Sequence, residues 1–110
     1  MRKLLFVGRS REDLRAFPPS ARRTAGGELE NLQKGAEPTD WKPMKTVGPG
    51  VAEIRIQDQT GAYRVIYLAK LKDAIYVLHC FEKKSQRTSR ADIGLATARY
   101  KELLRTRPKN

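Results

Sequence analysis

The stretch "VAEIRIQDQTGAYRVIYLAKLKDAIYVLHCFEK", residues 51–83, decides the fold. It carries three runs rich in β-branched and aromatic residues, "VAEIRIQ", "AYRVIYLAKL" and "AIYVLHCFEK", and such runs bounded by turn residues predict strands. "DQTG" and "KD" are the turns between them. Connections this short favour an antiparallel meander, because parallel neighbours need a crossover of about a dozen residues or more. Alternation sends Val51, Glu53 and Arg55 to one face and Ala52, Ile54 and Ile56 to the other, so one face is wet or functional.

Outward from the meander, "SRADIGLATARYKELLRTR" predicts a C-terminal helix. Ser89 followed by Asp92 resembles a capping box, and Ile93, Ala96, Tyr100, Leu103 and Leu104 make one apolar stripe. On the N-terminal side "KLLFVG" predicts a short buried strand. Ser10 is the expected N-cap of a helix over "SREDLRAF", with Glu12 and Asp13 in its first turn. Ala21, Ala25, Leu29 and Leu32 recur at helical spacing, and Gly35 stands where a C-terminal cap belongs. Residues 36–50, with three prolines and the sole tryptophan, predict mostly loop and a short strand near "PMKTV". The expected architecture is α+β: an N-terminal strand and helical hairpin packed on a mostly antiparallel twisted sheet, with a C-terminal helix, in one domain over residues 1–110.

Twenty-three Lys and Arg against twelve Asp and Glu give a formal charge of +11. That excess costs self-repulsion unless a polyanion or an acidic partner offsets it, so RNA, DNA or an acidic protein is the expected partner class. One cysteine forms no internal disulfide, and one histidine with one cysteine does not furnish a usual zinc site. The apolar run in "MRKLLFVG" is too short for a signal sequence, and no segment approaches the roughly 18 apolar residues of a membrane span. A cytoplasmic protein with no membrane partner is expected.

Several residues invite chemistry. Arg64 interrupts "AYRVIYLA", where an arginine needs a partner or a ligand; Glu53, Arg55 and Arg64 form cross-strand ion pairs or face a bound anion. Lys83, Lys84 and Arg87 follow the third strand and suit phosphate positioning. Tyr63, Tyr67 and Tyr76 are half-buried core or stacking platforms for unpaired bases. Trp41 is a hydrophobic lid or a base contact. By alternation His79 shares a face with Ile75, Val77 and Phe81, and Cys80 with Tyr76 and Leu78. His79 is then a hydrogen-bonded packing residue or a proton carrier, and Cys80 a buried thiol. The acidic residues are scattered, which disfavours a two-metal carboxylate site. If RNA is cut, the remaining route uses its own 2′-hydroxyl as nucleophile, with side chains moving protons and stabilising charge on the phosphorus-bound oxygens, and no cofactor.

Residues 52–103 resemble the phage-derived, HigB-like branch of the RelE/ParE toxin superfamily. The pattern is E-x-R, a turn, YR-h-x-Y, an apolar strand ending F-x-KK-x-x-x-T, and a helix with A-x-x-R. It falls on Glu53 and Arg55, Tyr63 and Arg64, Tyr67, Phe81, Lys83, Lys84, Thr88, Ala96 and Arg99. The resemblance implies a small RelE-like α+β toxin that enters the ribosomal A site and cleaves mRNA without a metal. It implies silencing by an antitoxin carrying a helix-turn-helix domain. It makes Arg64 a phosphate-contacting residue, with Arg55, Lys83 and Lys84 as companions, and leaves Glu53, His79 and Tyr67 as candidates for proton transfer. Arg55, Lys70, Arg87, Arg90 and Arg99 are the expected RNA-contacting cations. A sister branch resembling ParE acts on DNA gyrase, so a gyrase inhibitor or a non-catalytic RNA-binding protein is the alternative.

Overall fold

Strand β1 (Lys3–Phe6) leads into helices α1 (Ser10–Arg15) and α2 (Pro19–Gln33). Strands β2 (Trp41–Pro43), β3 (Val51–Asp58), β4 (Gly61–Leu68) and β5 (Ala74–Lys83) follow, then helix α3 (Arg90–Thr106). The computed structural model describes residues 1–107. One five-stranded sheet runs in the order β1-β5-β4-β3-β2. The meander β3-β4-β5 is antiparallel throughout, β2 adds antiparallel to β3, and β1 pairs parallel with β5. At the β3–β4 turn Asp58 Oδ2 accepts the Thr60 N–H at 3.0 Å, and Gly61 takes a φ of +150° that a side chain would strain.

The two sheet faces have separate cores. Ala52, Ile54 and Ile56 of β3 and Tyr63, Val65 and Tyr67 of β4 pack under α2, whose Ala21, Ala25, Leu29 and Leu32 all face the sheet. The alanines let the helix lie close, while Leu29 at 1% exposure contributes about 2 kcal/mol of burial. Together with the buried Leu32, that burial outweighs the roughly 1 kcal/mol that each of Gly26 and Gly27 costs a helix interior. Gly35, at φ +89°, donates its N–H to Leu32 O and turns the chain out of α2. On the other face Ala96, Tyr100 and Leu103 of α3 pack with Val51, Leu68, Ala74 and Tyr76, and Met44 and Val47 complete that core.

Several local expectations change. β1 is an edge strand with Leu5 43% exposed, rather than a buried one, because only its β5 side is paired. Ser10 does not cap α1: it is fully buried and its hydroxyl donates to Val77 O at 2.9 Å, so it ties the helix to β5. The short strand of the proline-rich segment is Trp41–Pro43, which begins two residues before "PMKTV" and ends on its Pro43, and Trp41 packs half-buried against the core under α2. Leu104 leaves the α3 stripe and is exposed, whereas Ser89 caps α3 as expected, accepting the Asp92 N–H at 3.1 Å.

The largest departure is in β5. Ile66 pairs with His79 but Tyr67 pairs with Val77, which leaves Leu78 as the extra residue of a β-bulge. Past the bulge the faces exchange. Cys80, rather than His79, joins Ile75 and Val77, while Phe81 joins Tyr76 and Leu78. Burial pushes the Cys80 thiol far up, so it is an unreactive packing group.

Candidate nucleic-acid interface

The α3 side of the sheet is covered at the end where Leu68 and Ala74 lie. Beyond it, three cross-strand rows continue toward the β3–β4 turn. Lys42 stands opposite Glu53, which stands opposite Ile66 and then His79; Arg55 stands opposite Arg64 and Phe81; Gln57 stands opposite Ala62 and Lys83. Period-2 alternation therefore sets Lys42, Glu53, Arg55, Arg64 and Lys83 on one face.

Glu53 is the floor of this group at 2% exposure. Its Oε1 lies 3.7 Å from Lys42 Nζ and 3.8 Å from Arg64 Nε. Both separations exceed hydrogen-bond length, and Glu53 Oε2 and Arg64 Nε, each buried, have no hydrogen-bond partner. Arg64, 6% exposed, donates Nη1 to Tyr63 O at 2.9 Å. Burial lowers its affinity for a proton, and the facing Arg55 adds to this, with Glu53 and Asp40 opposing. Partial desolvation, then repulsion from Arg64, Lys42 and Arg55, holds the Lys83 ammonium below the usual lysine range, against the pull of Glu53. Thus the expected set of ion pairs forms only in part. Glu53 serves as counter-ion to Arg64 and Lys42, while Arg55 and Arg64 confront each other with like charge.

Such an arrangement is costly in the free protein and favourable to an anion. Four cations converge over one carboxylate, and a buried donor and acceptor without partners cost roughly 1–3 kcal/mol each until a ligand satisfies them. Arginine forks at a phosphate bind in bidentate fashion, and a desolvated cation stabilises the charge of a pentacoordinate phosphorus more strongly than one in water.

The other candidate residues lie apart from this group or at its margin. Tyr67 is three residues from Arg64 and so on the opposite face, 4% exposed, its hydroxyl pushed up to about 12 by burial and then by Glu37 and Glu28. Tyr63 packs on the same α2 side against Phe17, and Tyr76 lies in the α3 core. His79 stacks on Phe81 with ring centroids 5.0 Å apart. Its Nε2 meets Asp92 Oδ1 at 2.7 Å, and its Nδ1 lies 3.6 Å from Asp13 and 3.4 Å from Arg99 Nη1. Arg99 also donates to Leu78 O, the bulge carbonyl, at 2.9 Å and approaches Asp13 at 3.3 Å. His79 and Arg99 together thus tie α1, β5 and α3. Lys84 and Arg87 are exposed where the chain leaves β5, and with Lys83, Ser89 and Asp92 they line a hollow of about 180 Å³. Arg90 is exposed at the start of α3, and Lys70 is exposed past the far end of β4.

Sequence reasoning missed Lys42, Asp40 and the two carboxylates at His79. Lys42 and Asp40 lie in a proline-rich segment where the pairing of β2 with β3 is the signal, and Asp13 and Asp92 read as helix-start acids.

No curated protein matches the chain in sequence. In structure it is similar to a double mutant of the E. coli toxin RelE in the free state, with a TM-score of 0.64 at 14% identity over 93% of this chain and 97% of that one, and the fold is therefore RelE-like. Residues 12–101 match the family described as Phage derived protein Gp49-like (DUF891), and the chain belongs to that family.

Proposed function

We propose that this chain is the toxin of a type II toxin–antitoxin pair, a HigB-like endonuclease that cuts mRNA in the ribosomal A site and so blocks translation. The carrying observation is the group of Lys42, Arg55, Arg64 and Lys83 over the buried Glu53, with an unpartnered donor and acceptor at its centre. The RelE-like fold and the net charge of +11 agree with a polyanionic substrate.

In this reading no metal takes part. Glu53 accepts the proton of the RNA 2′-hydroxyl, which attacks the adjacent phosphorus. Arg64 and Arg55 hold the non-bridging oxygens, and Lys83, whose ammonium gives up its proton more readily than an ordinary lysine, protonates the departing 5′-oxygen. Lys84 and Arg87 follow the backbone away from the cut. His79, with its ring nitrogens facing Asp13 and Asp92, holds the surrounding elements, and Tyr67 belongs to the α2 core. A helix-turn-helix antitoxin is the partner that silences the protein in the cytoplasm.

The test is Arg64→Ala in a cell-free translation system. The variant is expected to keep the circular-dichroism spectrum of the parent and to lose inhibition. Inhibition equal to the parent's removes Arg64 from the site. After induction in cells, cuts phased to codons in translated messages support the nuclease, whereas intact messages with broken chromosomes point to gyrase as the target.

A further inference from the structure

Beside the phosphate-facing cations lies a hollow of about 70 Å³ lined by Asp40, Arg55, Ile56, Gln57 and Arg64. Asp40 precedes β2, and its carbonyl accepts the Arg55 N–H at 2.8 Å, which extends the β2–β3 pairing by one residue. Asp40 is exposed, and neither it nor Arg55 belongs to any ion pair within 4.0 Å among the described residues. Arg64 Nε, buried and unpartnered, belongs to the same wall. The hollow is too small for a whole base but suits the polar edge of one, with the Asp40 carboxylate, outside any ion pair, in its lining.

We propose that this hollow reads a guanine base of the RNA next to the phosphate held by Arg64, and that Asp40 is a specificity-determining residue. Guanine is the base that offers two adjacent donors, N1–H and the N2 amino group, to a carboxylate. Adenine presents an acceptor at N1, where Asp40 needs a donor. Cytosine presents an acceptor at N3 for the same reason, and uracil has a single donor between two carbonyls that would face the carboxylate. Gln57, exposed at the rim, supplies either a donor or an acceptor.

The inference rests on the proposal that this face binds RNA, and the experiment separates the two. Equilibrium binding is measured by fluorescence anisotropy for short adenine RNAs carrying a central guanine, adenine or hypoxanthine. The unmutated protein is expected to bind the guanine RNA on the order of tenfold tighter than the adenine RNA, the scale of one well-formed bidentate base contact. Hypoxanthine, which keeps N1–H, O6 and N7 but lacks the amino group, falls between. Asp40→Asn, which leaves the backbone bond to Arg55 in place, is expected to abolish the ratio of guanine to adenine affinity. Equal affinity for all three RNAs overturns the guanine site while sparing the RNA-binding face, as does an Asp40→Asn protein that keeps the parent's ratio. Failure to bind any of the RNAs sinks both.

Discussion

Replacing Glu53 by glutamine keeps the side-chain volume but strips Arg64 of its counter-ion. At 3.8 Å, two unit charges in the effective dielectric that suits protein sites attract by about 4 kcal/mol. Breaking one partner of a buried pair costs about 3–5 kcal/mol, because the remaining charge stays desolvated. Since Glu53 and Arg64 are not hydrogen-bonded to each other, the low end applies, and the expected loss is about 3 kcal/mol. Lys42, half exposed, adds little. Against a total stability of about 5–15 kcal/mol this is a large fraction, equivalent to a fall of roughly 12 °C or more in melting temperature. Trp41, half-buried against the core and the sole tryptophan, reports urea unfolding by fluorescence. The double variant Glu53→Met with Arg64→Met removes both charges and should recover most of the loss, as buried pairs replaced by apolar residues generally do. A Glu53→Gln protein that unfolds within about 0.5 kcal/mol of the parent would refute the reasoning, because Arg64 would then need no carboxylate beneath it.

Two further outcomes concern the contacts of α3. Hydrogen bonds from Arg107 and then Tyr76 hold the Asp73 carboxyl at about 2, so the folded chain binds that proton more weakly than the unfolded one. Its contribution is therefore complete above about pH 4 and lost as the pH falls toward 2; the stability difference between the parent and Asp73→Asn, followed by urea titration, should shrink over that window. Gly48 lies against the Tyr100 ring with no room for a Cβ, so Gly48→Ala should lower stability by about 1–3 kcal/mol in a thermal melt, and an unchanged melting temperature would show that the ring yields freely.

What residues 51–83 reveal directly is topology. Short turns and β-branched runs dictate the meander, and the alternation in "VAEIRI" puts Glu53 and Arg55 on one face, as the structure has it. Four of the five buried positions of α2, Ala21, Ala25, Leu29 and Leu32, follow from helical spacing alone, whereas the fifth, Glu28, is buried where it accepts the Thr39 N–H. What was illegible depended on contacts between segments distant in the chain. Nothing in "AIYVLHCF" marks Leu78 as a bulge, yet that one residue moves Cys80 into the α2 core and turns His79 toward Asp92. Ser10 looks like a cap by position, but its hydroxyl donates instead to Val77 O, a carbonyl of β5 that also accepts the Val7 N–H. Lys42 and Asp40 sit among prolines and become part of the site through β2 pairing with β3. The face of Tyr67 was readable, since residues three apart on a strand point opposite ways.

The central claim, that this face cuts RNA through the substrate's own 2′-hydroxyl, is tested most directly with two messages programmed into ribosomes with the purified protein. One is all ribose, and the other carries a single 2′-deoxynucleotide immediately 5′ of the cut. The all-ribose message should be cleaved to a 2′,3′-cyclic phosphate end while the deoxy message stays intact; cleavage of both at the same rate, or of neither, would contradict the account.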